Sequence, residues 1–309
     1  MNSIKGLIYG IVTSVTFGLI PLFTLPLMKE GMSLDSILFY RFLFATIALG
    51  IMMKVHKEPF AIKMNDLPLL VLLSTYYMVS AQFLFWGYDY MGAGVATTLH
   101  FTYPVFVTLL MLILFREKAS WVTWLAIILA VYGVARLSIG GEDHKFSFFG
   151  VGIVLLSALG YAAYITTVNK SHLRTMPNRK LAFYVFVFTT LLFAGKVSVT
   201  QTLQPIPDVM SGVNLVLLAV LPTVISNITL LLAVHHIGGT MTSVLGALEP
   251  VTAVCIGAFV FGEAFTWQQG LGIAMILVAV TLIILGKPIQ NTLSSVVKLR
   301  LEERRVGKE

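Results

Sequence analysis

One cysteine, Cys255, stands in the whole 309-residue chain. It supports neither a disulfide framework nor a cysteine-based zinc site. Charge is scarce as well, at 11% of residues against roughly 25% in a soluble domain. The sequence has no His-Glu-x-x-His, no Gly-x-Ser-x-Gly, no Walker loop and no dinucleotide glycine fingerprint. The lack of an ATP site argues against primary active transport by this chain alone. No pair of ligand-type residues falls at i, i+4 on one helix, so neither a metal nor another cofactor is expected. What fills the chain is apolar: 57% of residues are hydrophobic and mean hydropathy is +0.89. A soluble protein of this length cannot bury so much apolar surface. Disorder is excluded by the same richness in aromatic and aliphatic residues. An integral membrane protein remains.

A bilayer-crossing helix needs about 20 mostly apolar residues. The hydropathy pattern predicts ten: Ile4–Met28, Leu34–Met53, Leu67–Tyr88, Gly92–Phe115, Ala119–Ile139, Phe148–Asn169, Leu181–Leu203, Val213–His236, Gly239–Phe261 and Phe265–Gly286. Their short connections predict an all-α antiparallel bundle with no soluble domain. A barrel would show ~10-residue alternating segments instead. The first apolar run is longer than a signal core and is expected to stay as a membrane helix.

The positive charges sort by side. The N-terminus, the even-numbered loops and the tail hold 16 of the 21 Lys and Arg; the odd-numbered loops hold only Lys29 and Lys145. Arg41, Arg136 and Lys196 fall inside spans. This asymmetry predicts both termini in the cytoplasm of a cell whose inner membrane the chain spans many times. It also accounts for the net charge of +7, so nucleic-acid binding is not needed. The basic tail, residues 287–309, either touches anionic lipid headgroups or is plainly solvated.

The chain repeats itself. At a shift of 146, Pro104 meets Pro250, Phe115 meets Phe261, Glu117 meets Glu263, Trp121 meets Trp267 and Gly92 meets Gly238. At a shift of 144, Gly6 meets Gly150 and Phe39-Tyr40 meets Phe183-Tyr184. The repeat unit has five helices, an odd number, so the second copy must be inserted upside down. Residues 4–139 and 148–286 are the two expected copies. Inverted repeats are a feature of many secondary transporters.

With these segments, from Tyr103-Pro104-Val105 to Phe115-Arg116-Glu117 and from Glu249-Pro250-Val251 to Phe261-Gly262-Glu263, the sequence resembles the drug/metabolite transporter superfamily, in its EamA-like branch. Phe39-Tyr40-Arg41-Phe42 also fits that pattern. The resemblance implies a ten-helix carrier of small solutes. It leaves open the substrate and the direction. Members export amino acids, other metabolites or toxic compounds, and some import. Val185 stands where a second copy of Arg41 would be.

Ionisable groups at membrane depth are costly and face the bundle interior or water. Glu249 sits near the expected midplane, either as a cavity carboxylate or as a buried structural acid. Its repeat mate is Tyr103. His100 reads as a ligand or proton contact or as a packing residue, and Arg41 as an anion-attracting group or half of a structural ion pair. Gln82, Asn227, Tyr77, Tyr161 and Tyr164 are further pocket candidates. Pro104 and Pro250 each free the carbonyl four residues earlier, on His100 and Gly246, and are candidate hinges. Arg136 and Lys196 read as snorkelling cations. Gly6-x-x-x-Gly10 and Gly270-x-x-x-Ala274 allow close helix approach, within a monomer or across a homodimer.

The expected function is alternating-access transport, in the export direction, of small metabolites such as amino acids, with proton coupling through Glu249. The alternatives are a channel and an intramembrane enzyme using Glu249 and His100.

Overall fold

The computed structural model describes residues 2–116, 120–139, 148–263 and 266–285. The basic tail and Glu117 lie outside them. Thirteen α-helices run α1 Asn2–Gly18, α2 Ile20–Lys29, α3 Leu34–Val55, α4 Leu67–Met91, α5 Ala93–His100, α6 Tyr103–Phe115, α7 Trp121–Ile139, α8 Phe148–Lys170, α9 Asn178–Thr200, α10 Val209–Ala219, α11 Ser226–Leu245, α12 Leu248–Phe261 and α13 Trp267–Leu285. No strand occurs among the described residues. Among the described residues, eight helical stretches are long and apolar enough to cross a bilayer, and Trp121–Arg136 and Leu248–Phe261 are shorter apolar helices. Side chains such as Ile113, Leu114, Ile128 and Phe259 lie exposed on the outside of the bundle. So wide an apolar surface is what a bilayer covers.

Local chemistry sets the helix ends. Ser33 caps α3, its Oγ accepting the Ser36 N–H at 3.3 Å. Asp208 caps α10, accepting the Ser211 N–H at 2.7 Å, and this bond holds the Asp208 carboxyl below the usual carboxylate range. Gly92 makes the one-residue turn between α4 and α5 at φ +76°, a region that side chains avoid. The Glu263 carboxylate closes that turn, accepting from Ala93 N at 2.7 Å and Gly94 N at 3.3 Å. A Cβ at Gly92 would lie 3.0 Å from the same carboxylate.

Several expected spans are interrupted. The first breaks at Leu19, just before Pro21. The fourth breaks at Phe101 and Thr102, and the ninth at Gly246 and Ala247. Pro104 and Pro250 therefore sit in the first turn of a new helix, where a missing N–H costs nothing. They are not kinks inside continuous helices. The Gly246 carbonyl, expected free, accepts from Glu249 N at 2.9 Å. Helical backbone also continues past His236, the expected end of the eighth span, to Leu245.

The two repeats are inverted about an axis through α3 and α9. Asp35, at the start of α3, pairs with Lys196, near the end of α9, at 2.6 Å. Glu58, just beyond the end of α3, pairs with Arg179, at the start of α9, at 2.6 Å. Equivalent helices thus run antiparallel. α5 and α12, which are not repeat mates, also lie antiparallel, joined at Glu263. Matched glycines make matched contacts. A Cβ on Gly6 would fall 2.4 Å from Ile237 and 2.7 Å from His236; one on Gly150 would fall 2.6 Å from Tyr90 and 3.1 Å from Met91. Those partners are themselves equivalent at the 146-residue shift. Gly6 and Gly10 both face α11, so this small-residue stripe packs within the monomer. Gly133 of α7 similarly approaches α13.

Candidate functional site

The helix breaks open a cavity of about 180 Å³ between the repeats. Arg41 from α3, Tyr77 from α4, His100 from α5, Tyr103 from α6, Tyr161 from α8 and Glu249 from α12 line it. These are six of the nine side chains expected at the site. They lie far apart in sequence and converge because α5 and α12 pack on each other and on α8 and α1.

The charges in this cavity are unbalanced. The Glu249 carboxylate makes no hydrogen bond or ion pair with any described residue. Arg41 uses one nitrogen, Nε, which donates to Thr223 Oγ1 at 3.1 Å. Phe42 and Phe85 rings lie 5.4 and 5.6 Å from the guanidinium carbon. Arg41 and Glu249 do not pair with each other. Burying ionisable groups without joining them is expensive, and inside a membrane bundle such groups mark candidate solute sites.

His100 has a defined tautomer. Ser157 Oγ donates its one hydrogen to the Ser80 carbonyl at 2.6 Å. Ser157 Oγ also lies 2.9 Å from His100 Nδ1. With the hydroxyl hydrogen committed, Nδ1 must carry the ring proton and donate. Nε2 is then an acceptor, with no hydrogen-bond partner among the described residues. Tyr103 and Tyr161 rings stand edge to face at 4.8 Å, and Tyr161 lies 5.6 Å from the His100 ring.

Three expected residues lie elsewhere. Gln82 belongs to an ionic cluster: its Oε1 accepts from Lys196 Nζ at 2.9 Å, while Lys196 also pairs with Asp35. Lys196 is therefore an ion-pair partner and not a snorkelling cation. Asn227 and Tyr164 line a second cavity of about 220 Å³, with Leu49, Arg179 and Leu230, toward the cation-rich face. Leu230 borders both cavities. Tyr164 stacks edge-on against Tyr77 at 5.3 Å between them. The sequence reading missed Thr13, Ser14, Ser80, Ser157, Thr223 and Thr242. Ser14 and Thr223 return their hydroxyls to backbone nearby in their own chain segment, and single small hydroxyl residues in an apolar helix leave little mark on hydropathy.

The family model of the EamA-like transporter family matches residues 4–139 and 148–285. The chain belongs to the EamA-like transporter family. Similar proteins include an uncharacterized transporter of Synechocystis sp., 26% identical over 65% of this chain and 61% of that protein. An uncharacterized transporter of Bacillus subtilis is 24% identical over 79% of both chains. The match spans less than two thirds of the Synechocystis protein's own length. A further uncharacterized transporter, from Archaeoglobus fulgidus, is 33% identical over 36% of this chain and 39% of its own. A solved crystal structure superposes with a TM-score of 0.62 at 15% identity, covering 90% of this chain and 95% of its own. That likeness shows a shared fold. Its apolar helices and two EamA-like repeats make this chain a multi-pass membrane member of that family.

Proposed function

We propose that this protein is a carrier for small dipolar metabolites, amino acids and related compounds, exported across the inner membrane by alternating access. One observation carries the reading: a single buried cavity between inverted repeats holds an unpaired carboxylate and an unpaired guanidinium. A zwitterion brings one charge to each and neutralises both. Tyr77, Tyr103 and Tyr161 offer hydroxyls and ring faces to its apolar part.

A difference in packing between the two faces supports alternation. The second cavity lies toward the cation-rich face, which we assign to the cytoplasm together with both termini. Its lining residues Leu49, Arg179, Ile228 and Leu231 correspond in the repeat to Phe193, Asp35, Gln82 and Phe85 near the other face. Phe193 and Phe85 are fully buried, and Asp35 and Gln82 are tied by Lys196. One face is packed where the other is hollow. Exchanging the two packings would turn access to the opposite side. Pro104 and Pro250 start the helices that border the cavity, and we assign them the hinges. Glu249, which has no fixed partner, is assigned proton coupling.

Counterflow in liposomes tests this. The full-length protein is reconstituted, loaded with each of a panel of unlabelled amino acids, and given the labelled compound outside. Transient accumulation of a zwitterionic solute, absent for its decarboxylated amine, is expected. Non-saturating flux without acceleration by internal solute would make it a channel. Chemical conversion of the solute would make it an enzyme.

A further inference from the structure

The Arg41 side chain, from the first repeat, is held by a residue of the second. Pro222 has no N–H, so the Leu218 carbonyl four residues earlier has no helical donor. The backbone widens there into a π-turn, Val220–Ile225. The Thr223 hydroxyl fills the vacancy, donating to Leu218 O at 3.0 Å. A hydroxyl has one hydrogen, so Thr223 Oγ1 is left as an acceptor only. Arg41 Nε donates to it at 3.1 Å. Both residues are buried, Thr223 at 1% and Arg41 at 4% exposure. Held at Nε and flanked by the Phe42 and Phe85 rings, the guanidinium has a fixed plane. Its two terminal nitrogens make no hydrogen bond or ion pair with any described residue, and Arg41 lines the cavity. The device occurs once, because Val185 and Tyr77 occupy the equivalent positions of the other copy.

We propose that Thr223 is a positioning residue that aims both terminal nitrogens of Arg41 into the cavity as a bidentate site for a carboxylate. A planar fork matched to a planar carboxylate is the strong, specific form of this interaction. The proposal rests on the carrier reading and adds which group holds the acidic end and what holds that group.

The test does not need the natural solute. Full-length protein in nanodiscs is treated with phenylglyoxal, and modification of Arg41 is followed by mass spectrometry against added acetate. Acetate is expected to protect Arg41, and neutral acetamide is not. Thr223→Ser keeps the hydroxyl and should protect as the wild type does. Thr223→Val keeps the shape but loses the acceptor, and should need about tenfold more acetate for half-protection. Equal protection in Thr223→Val and wild type overturns the proposal. So does protection by acetamide equal to that by acetate, or no protection by acetate at all, both read on the wild type without any variant. If counterflow fails while acetate still protects Arg41, the carrier reading falls and this site stands. If counterflow succeeds while protection is absent, the site falls and the carrier reading stands.

Discussion

Thr46 Oγ1 lies 3.4 Å from Thr190 Oγ1, and the two are the same position of the repeat, 144 residues apart. One turn away the equivalent rings of Phe42 and Phe186 stand 5.6 Å apart. A residue touches its own repeat mate only on a twofold axis. The axis therefore passes between α3 and α9, and because those helices run antiparallel it lies across their length. Inversion is visible in this one contact. The axis relates positions but not chemistry. Arg41 faces a site whose mirror holds Val185, and Glu249 one whose mirror holds Tyr103. Symmetry supplies the frame for two conformations, and the broken symmetry supplies the charges.

Thiol labelling should reveal the sidedness. In a Cys255→Ser background, Pro207→Cys should react with an impermeant reagent from outside intact cells. Arg174→Cys should react only after permeabilisation. Both positions are exposed loop residues on opposite ends of α9. The reverse pattern would put the termini outside.

Matched glycines should fail together. Gly6→Ala and Gly150→Ala each place a methyl within 2.4 and 2.6 Å of a side-chain carbon on the facing helix. Each should lower stability by about 1–3 kcal/mol, read as a lower melting temperature in detergent. Gly152→Ala, with nothing near its added carbon, is the control and should melt as the wild type does.

The Asp35–Lys196 pair should show coupling. Asp35 and Lys196 side chains are 14% and 27% exposed, so water screens the pair only in part. A double-mutant cycle with Asp35→Asn and Lys196→Met should give a coupling energy of about 1 kcal/mol. Additive effects on the melting temperature would mean that the contact carries no net energy.

Proline replacement should act on rate more than on folding. Pro104→Ala and Pro250→Ala restore an N–H in a first helical turn, and so permit α5 to run into α6 and α11 into α12. Each should slow counterflow severalfold with little change in the amount of folded protein. Normal rates in both would leave the prolines a packing role.

Glu249→Gln separates binding from coupling. The amide keeps the size but cannot titrate. Exchange should weaken, because the amide brings no negative charge to the solute's amine, and accumulation driven by a pH gradient should be lost, measured in everted vesicles with and without the gradient. Gradient-driven accumulation equal to the wild type would exclude Glu249 as the coupling group. Exchange at the wild-type rate would remove Glu249 from the solute's amine.

Composition alone was enough for the membrane, because 57% hydrophobic residues have no other place to go. The inverted repeat was legible too, in Pro104 and Pro250, Gly6 and Gly150, and in the sorting of cations by side. Arg41, His100 and Glu249 announced themselves because a charge at membrane depth is costly enough to stand out singly. The pairing of charges was not legible. Lys196 read as snorkelling until the fold brought Asp35 from 161 residues away. Gln82 and Asn227 sit on the correct helices but face other neighbours, because hydropathy gives depth and not the direction in which a side chain points around its helix. Pro222 and Thr223 carried no signal at all. A missing N–H and a threonine hydroxyl become a support for Arg41 only when α3 of one repeat packs against the π-turn of the other, and that contact is set by tertiary packing.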